Sequence, residues 1–164
     1  MASAHSHALR PLPLRHERRY GAAAEAARYL GAISVLLVGV VHAQQYYDAY
    51  FSVVPTIGTL FLLSFLGAGA VGAALFAPLR RFGRAGEAIL ALAALGGIGI
   101  AVGTLVSLLI SEYTPLFGFM ESGYRMAVVL TLLFDVLTTV FLGAFLAIVA
   151  PRVVRALSTR RRPQ

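Results

Sequence analysis

Cysteine is absent from the 164-residue chain, and so is lysine. Without cysteine there is no disulfide, no thiolate metal site and no thiol redox chemistry. Charge is scarce as well: 13% of the residues are charged, against roughly 25% in a soluble domain. The few charges stand in clusters, and the stretches between them are apolar. That pattern excludes an ordinary water-soluble domain. No stretch has the form of a nucleophile elbow, a zinc-protease helix or a phosphate loop, because the glycines lie inside apolar runs rather than after strands.

What is present is hydrophobic residue, 59% of the chain, with a mean hydropathy of +0.79. A transmembrane helix needs about 20 apolar residues to cross the hydrocarbon core. Four runs meet that need and predict spans at about 28–46, 55–77, 87–110 and 125–149. The fold class expected is all-α, a four-helix transmembrane bundle forming one membrane domain over residues 26–151. Residues 1–25 and 152–164 remain as basic tails. The first is polar, carries Pro11 and Pro13, and has too few apolar residues to offset the entropy of ordering, which predicts disorder. Its His5 and His7 form an H-x-H pair without a third ligand nearby.

The first run admits a rival reading. Arg15, Arg18 and Arg19, twelve apolar residues and Val41-His42-Ala43 have the layout of a signal peptide cut before Gln44. Against it stand the long basic lead and the helix-forming residues Ala22 to Leu30 ahead of the run. Pro55 suits the first turn of the second span, since the amide it lacks has no helical partner there. Ala77-Pro78 and Ala150-Pro151, each followed by arginine, predict the ends of the second and fourth spans. Both hairpins share this plan.

All fourteen basic residues are arginine. Five precede the first span, three lie between the second and third, five come after the fourth, and only Arg125 lies elsewhere. Positive residues stay on the cytoplasmic side, so this bias predicts a plasma-membrane protein with both termini inside. Anionic lipid headgroups are the expected neighbours of the clusters, and no nucleic acid is expected. The polar, aromatic stretch 42–55 then faces outward. Tyr46, Tyr47, Tyr50 and Phe51, with Phe117, Phe119 and Tyr124, form the predicted outer aromatic belt.

Polar side chains inside the spans are the candidates for chemistry. Asp135 lies about 15 Å into the fourth span at 1.5 Å per residue, near the bilayer centre. Thr131, Thr138 and Thr139 share its helix face. An ionised aspartate there costs roughly 2.5–3.5 kcal/mol on insertion scales, so it must be protonated, hydrogen-bonded or paired. Either it is a proton or ligand site, or a carboxyl clamped by the threonines that joins helices. His42, with Gln45 and Tyr46 one turn on, is a proton relay, a contact for a quinone oxygen, or a satisfied interfacial histidine. As the only histidine of the spans it cannot form a bis-histidine haem site within one chain. Asp48, Glu112, Glu121 and Arg125 are the charged candidates of the outer loops. Ser64, Ala68 and Gly72, and Gly99, Gly103 and Ser107, are small residues at four-residue spacing, which predicts close helix packing within the chain or a homo-oligomer face. These residues name no cofactor.

The segments His42-Ala-Gln-Gln-Tyr-Tyr, Val54-Pro-Thr-Ile-Gly-Thr-Leu-Phe-Leu-Leu and Phe117-Gly-Phe-Met-Glu-Ser-Gly-Tyr-Arg resemble small four-span proteins of high-GC actinobacteria. The resemblance spans about residues 28–150, agrees with the arginine- and alanine-rich composition, and implies a fold but no activity. More distantly, the four-span plan is similar to the DoxX-like superfamily, some members of which are quinone-linked membrane subunits. That similarity lies in the plan alone, with no residue specific to the superfamily matched. Three function classes are consistent with these features: a non-enzymatic membrane subunit or interaction protein, a small proton-linked transporter using Asp135 and His42, and a quinone- or haem-associated redox subunit.

Overall fold

The computed structural model describes residues 15–49, 51–118, 120, 123 and 125–158, with side-chain detail from 21 to 151. Among these residues are four α-helices: α1 (Arg15–Tyr47), α2 (Pro55–Phe76), α3 (Gly83–Tyr113) and α4 (Met126–Ser158). All four are long and apolar enough to cross a membrane. Their outward faces carry large apolar side chains such as Leu63, Leu66, Leu92, Val136 and Val140. In water such a surface would drive aggregation, whereas in a bilayer it is the lipid face. The chain is a multi-pass membrane protein built as an all-α four-helix bundle.

The helix ends obey local chemistry. Pro55 opens α2 behind an extended Val54. Ala77, also extended, closes it, because the ring of Pro78 disfavours helical backbone in the residue before it. A short 3-10 turn (Leu79–Phe82) and Gly83, at φ 60°, then reverse the chain into α3. The second Ala-Pro behaves differently. Composition predicts a stop at Ala150-Pro151, but α4 continues through Pro151 to Ser158. Proline removes one backbone hydrogen bond, and a helix tolerates that where no neighbour requires the chain to reverse. The predicted disorder of residues 1–25 is also corrected from Arg15 onward: α1 begins there, extending the first span to Gly21–Tyr47. Residues 1–14 and 159–164, with His5 and His7, lie outside the described residues.

Successive helices run antiparallel. α1 packs along α2 and α4, α3 packs along the same two, and α1 and α3 are diagonal. α1 is the most enclosed, with 56% of its span buried, against 17%, 28% and 22% for the other three. The bundle has two unlike halves. Towards the ends that carry the termini, Val35, Leu75, Leu90, Ala94, Leu142 and Phe145 form a dry core. Leu142 is its keystone: a methyl group added at Gly97 would lie 2.6 Å from it, and one at Gly31 would also collide. Towards the opposite, loop end the core gives way to a pocket.

Candidate functional site: a pocket at the loop end

The pocket encloses about 340 Å³ and touches all four helices. Its origin lies in the seam between α2 and α3. Near the dry core this seam is closed, since a Cβ on Gly67 would sit 3.2 Å from Ile100 and one on Gly97 3.2 Å from Val71. Two and six residues beyond Gly97, a Cβ on Gly99 or Gly103 would meet nothing within 4 Å. The two helices therefore part, and the pocket reaches the lipid-facing surface beside Leu60, Gly103 and Ser107, all exposed pocket-lining residues.

Gly99 and Gly103 thus have room for a side chain within this chain, and with the exposed Ser107 they form a face open to a second molecule, the homo-oligomer alternative of their spacing. They border the opening. The second small-residue set divides. Ala68 and Gly72 meet α1, with a Cβ on Gly39 coming 3.0 Å from Ala68 and one on Gly72 coming 2.5 Å from Leu36. Ser64 lines the pocket.

His42 and Gln45 project from α1 into the pocket lining, both largely buried. The His42 ring nitrogen Nδ1 is 2.8 Å from the carbonyl of Val38, one turn back. The edge of Phe61 meets the imidazole at 5.2 Å, and Phe51 in turn meets Phe61 at 5.1 Å. Phe51 is brought there by the 3-10 turn Phe51–Val53, whose carbonyl at Phe51 lies over Gly58 with no room for a side chain. The tight α1–α2 connection therefore holds the histidine wall in place. Neither Phe61 nor the role of Gly58 stood out in the sequence, because an apolar run offers many equivalent phenylalanines and glycines.

Asp135 is fully buried in α4, near the middle of its span. Its hydroxyl partner is Thr104 of α3, whose Oγ1 donates to Asp135 Oδ2 at 2.7 Å. The threonine that holds the carboxyl therefore comes from α3 rather than from the Asp135 face of α4. Thr139 donates instead to the backbone carbonyl of Asp135 at 2.9 Å, Thr131 lines the pocket, and the buried Thr138 hydroxyl has no partner. Asp135 Oδ1 is also without one. Thr104 is both a pocket-lining residue and the only bridge to this carboxyl among the described residues, so it stands between the two. A lone polar residue beside Gly103 was the signal for it, masked by the glycine pattern around it.

At the opposite end, Arg28 is buried where the sequence places a span boundary. Its guanidinium meets Glu25 at 2.6 Å, bonds to the Tyr29 hydroxyl at 2.6 Å and approaches the carbonyl of Ala77 at 3.5 Å. Arg80, from the α2–α3 turn, pairs with the other oxygen of Glu25. This clasp ties α1 to the turn and has a structural role. Among the outer-loop candidates, Asp48 is exposed and Glu112 half-buried, while Tyr46 stacks edge-on against Tyr47 at 4.9 Å. Arg125 reaches the pocket rim. Glu121 lies outside the described residues, as do Tyr50, Phe119 and Tyr124.

Comparison of the chain with models of known protein families, with curated proteins and with solved structures returns no match. The chemistry of the site must therefore speak alone. Among the described residues no three His, Asp or Glu come together as metal ligands. The lining combines aliphatic side chains and Phe61 with eight polar ones, the mixture of a small-molecule binding site.

Proposed function

We propose that the protein is a non-enzymatic membrane subunit that binds a lipid-soluble molecule with a polar end. The observation that carries this reading is the pocket's opening between α2 and α3 to the lipid-facing surface, with the buried His42, Gln45 and Ser111 in its lining. A molecule dissolved in the bilayer can enter by that route without passing through water. Its apolar body replaces lipid contacts with pocket contacts, while its polar end finds partners scarce in hydrocarbon. The setting proposed is an actinobacterial plasma membrane, with the arginine-rich ends and both termini cytoplasmic, beside anionic headgroups.

A photoactivatable fatty acid incorporated in native membranes tests the pocket. Crosslinks on Leu60, Gly103 and Ser107 that disappear in Gly103→Phe are the expected result. Crosslinks confined to the outward faces, and unchanged by that substitution, would refute it. Orientation is tested separately: a membrane-impermeant maleimide on intact cells should label Asp48→Cys but not Arg84→Cys, each the only thiol in its chain.

A second reading, a proton-linked carrier, is favoured by one contact. Thr104 touches both the pocket and Asp135, which would couple ligand and proton through a single hydroxyl. Asp135→Asn retaining full proton-coupled uptake in vesicles would eliminate it.

A further inference from the structure

Three polar groups of the pocket, His42, Ser111 and Thr104, have spent their hydrogens elsewhere. A carbonyl can only accept, so the His42 nitrogen at 2.8 Å from the Val38 carbonyl must carry a proton. In the neutral ring the other nitrogen, Nε2, is then a bare acceptor. Ser111, equally buried in the pocket lining, donates its hydroxyl proton to the carbonyl of Leu108 at 2.7 Å, which leaves oxygen lone pairs. Thr104 has one hydroxyl proton and three oxygens within 3.0 Å: Asp135 Oδ2 and the carbonyls of Ile100 and Ala101. It too has none to offer the pocket. Gln45 Nε2 gives one hydrogen to Gln44 Oε1 at 2.9 Å and keeps a second, the hydroxyls of Ser64, Ser107 and Thr131 can donate or accept, and Arg125, already engaged, carries five N–H groups.

From this proton inventory we infer that the pocket selects a lipophilic alcohol, a molecule whose polar end donates a hydrogen bond to His42 Nε2. The inference rests on the proposed binding function and names the ligand's chemistry. A hydroxyl fits on both counts: it donates to the imidazole and can accept from a serine or threonine nearby. An oxidised quinone, an ester or an ether brings no hydrogen for His42 Nε2 and would leave that buried acceptor unmatched. The redox alternative is thereby narrowed to the reduced, hydroxyl-bearing form of such a ring.

The test uses a matched pair of probes, 9,10-dibromo-octadecanol and its methyl ether, which differ by one donor. The chain contains no tryptophan, so Leu60→Trp supplies a single fluorophore at the pocket opening, quenched by bromine on contact. Protein in nanodiscs of unbrominated lipid is titrated with each probe. The alcohol should reach half-quenching at roughly one-fifth the mole fraction of the ether, the factor given by one hydrogen bond of about 1 kcal/mol. Leu63→Trp, on the lipid face away from the pocket, should be quenched equally by both. Adding His42→Phe to Leu60→Trp should reduce the fivefold preference to less than twofold. If that variant does not fold, His42→Leu, which also lacks an acceptor, takes its place and should lower the preference likewise. An ether that binds as well as the alcohol overturns the inference while leaving the pocket intact as a binding site. Quenching at Leu60→Trp no stronger than at Leu63→Trp, for both probes, overturns the binding function with it.

Discussion

Thr104→Val removes a hydroxyl while keeping the side chain's shape, and it isolates the only polar contact of the Asp135 carboxyl among the described residues. Two magnitudes compete. Stripping a buried polar group of its partner costs about 1–3 kcal/mol. Hydrogen bonds between transmembrane helices average only about 0.6 kcal/mol, because the dissociated helices also find partners in the membrane. The geometry favours the larger figure. Asp135 is fully buried, its Oδ1 is already orphaned, and the substitution would leave both oxygens without a partner. A loss of about 2 kcal/mol is expected in reversible unfolding from bicelles. Asp135→Leu combined with Thr104→Val removes both ends of the contact and should cost less than the sum of the two single changes, a coupling of about 1 kcal/mol or more. Thr104→Val within about 0.5 kcal/mol of the parent, or strict additivity in the cycle, would refute the claim that this contact joins α3 to α4.

Gly72→Leu must displace Leu36 and should destabilise by about 1–3 kcal/mol, whereas Gly103→Leu, which meets nothing, should melt within a degree or two of the parent. Glu25→Leu leaves the buried Arg28 without its ion partner. Breaking a buried pair costs about 3–5 kcal/mol, and the partial exposure of Glu25 should lower this to about 2, read from the same unfolding assay. Phe61→Ala withdraws the ring that bridges His42 and Phe51 and should cost about 2 kcal/mol, less than a fully buried phenylalanine. It should also weaken capture of the photoactivatable fatty acid, and undiminished capture would separate the pocket from this aromatic wall.

Four spans were legible because hydrocarbon thickness imposes a length that composition alone reveals. Pro55 and Ala77-Pro78 were legible for a similarly local reason, since proline acts on its own backbone and on the residue before it. Pro151 misled because whether a helix stops at a proline depends on whether the chain must reverse there, as it must at Pro78. Asp135 announced itself as a charge in an apolar run, yet its partner came from α3, where no same-helix spacing could point. The threonines on its own face were near in sequence but turned elsewhere. Gly99 and Gly103 carried the sharpest ambiguity: glycine at helical spacing marks a surface without side chains, and such a surface serves a close contact and an opening equally well. Arg28 reads as a boundary residue because a sequence shows an arginine's charge but not the carboxylate, hydroxyl and carbonyl that surround it.

The unequal halves of the bundle also amount to a mechanical lever. α3 is gripped at Gly97 by Leu142 and Val71, and from there about 14 residues, or about 21 Å, run to the pocket's far wall at Ser111. A tilt of about 10° around that grip sweeps the far end through almost 4 Å, about the width of an acyl chain, while the keystone layer scarcely moves. Such a tilt would change the width of the opening with little change to the core. The same lever would transmit in reverse, so that a molecule wedged beside Gly103 would load α3 where Leu142 grips it at Gly97, six residues or about 9 Å away.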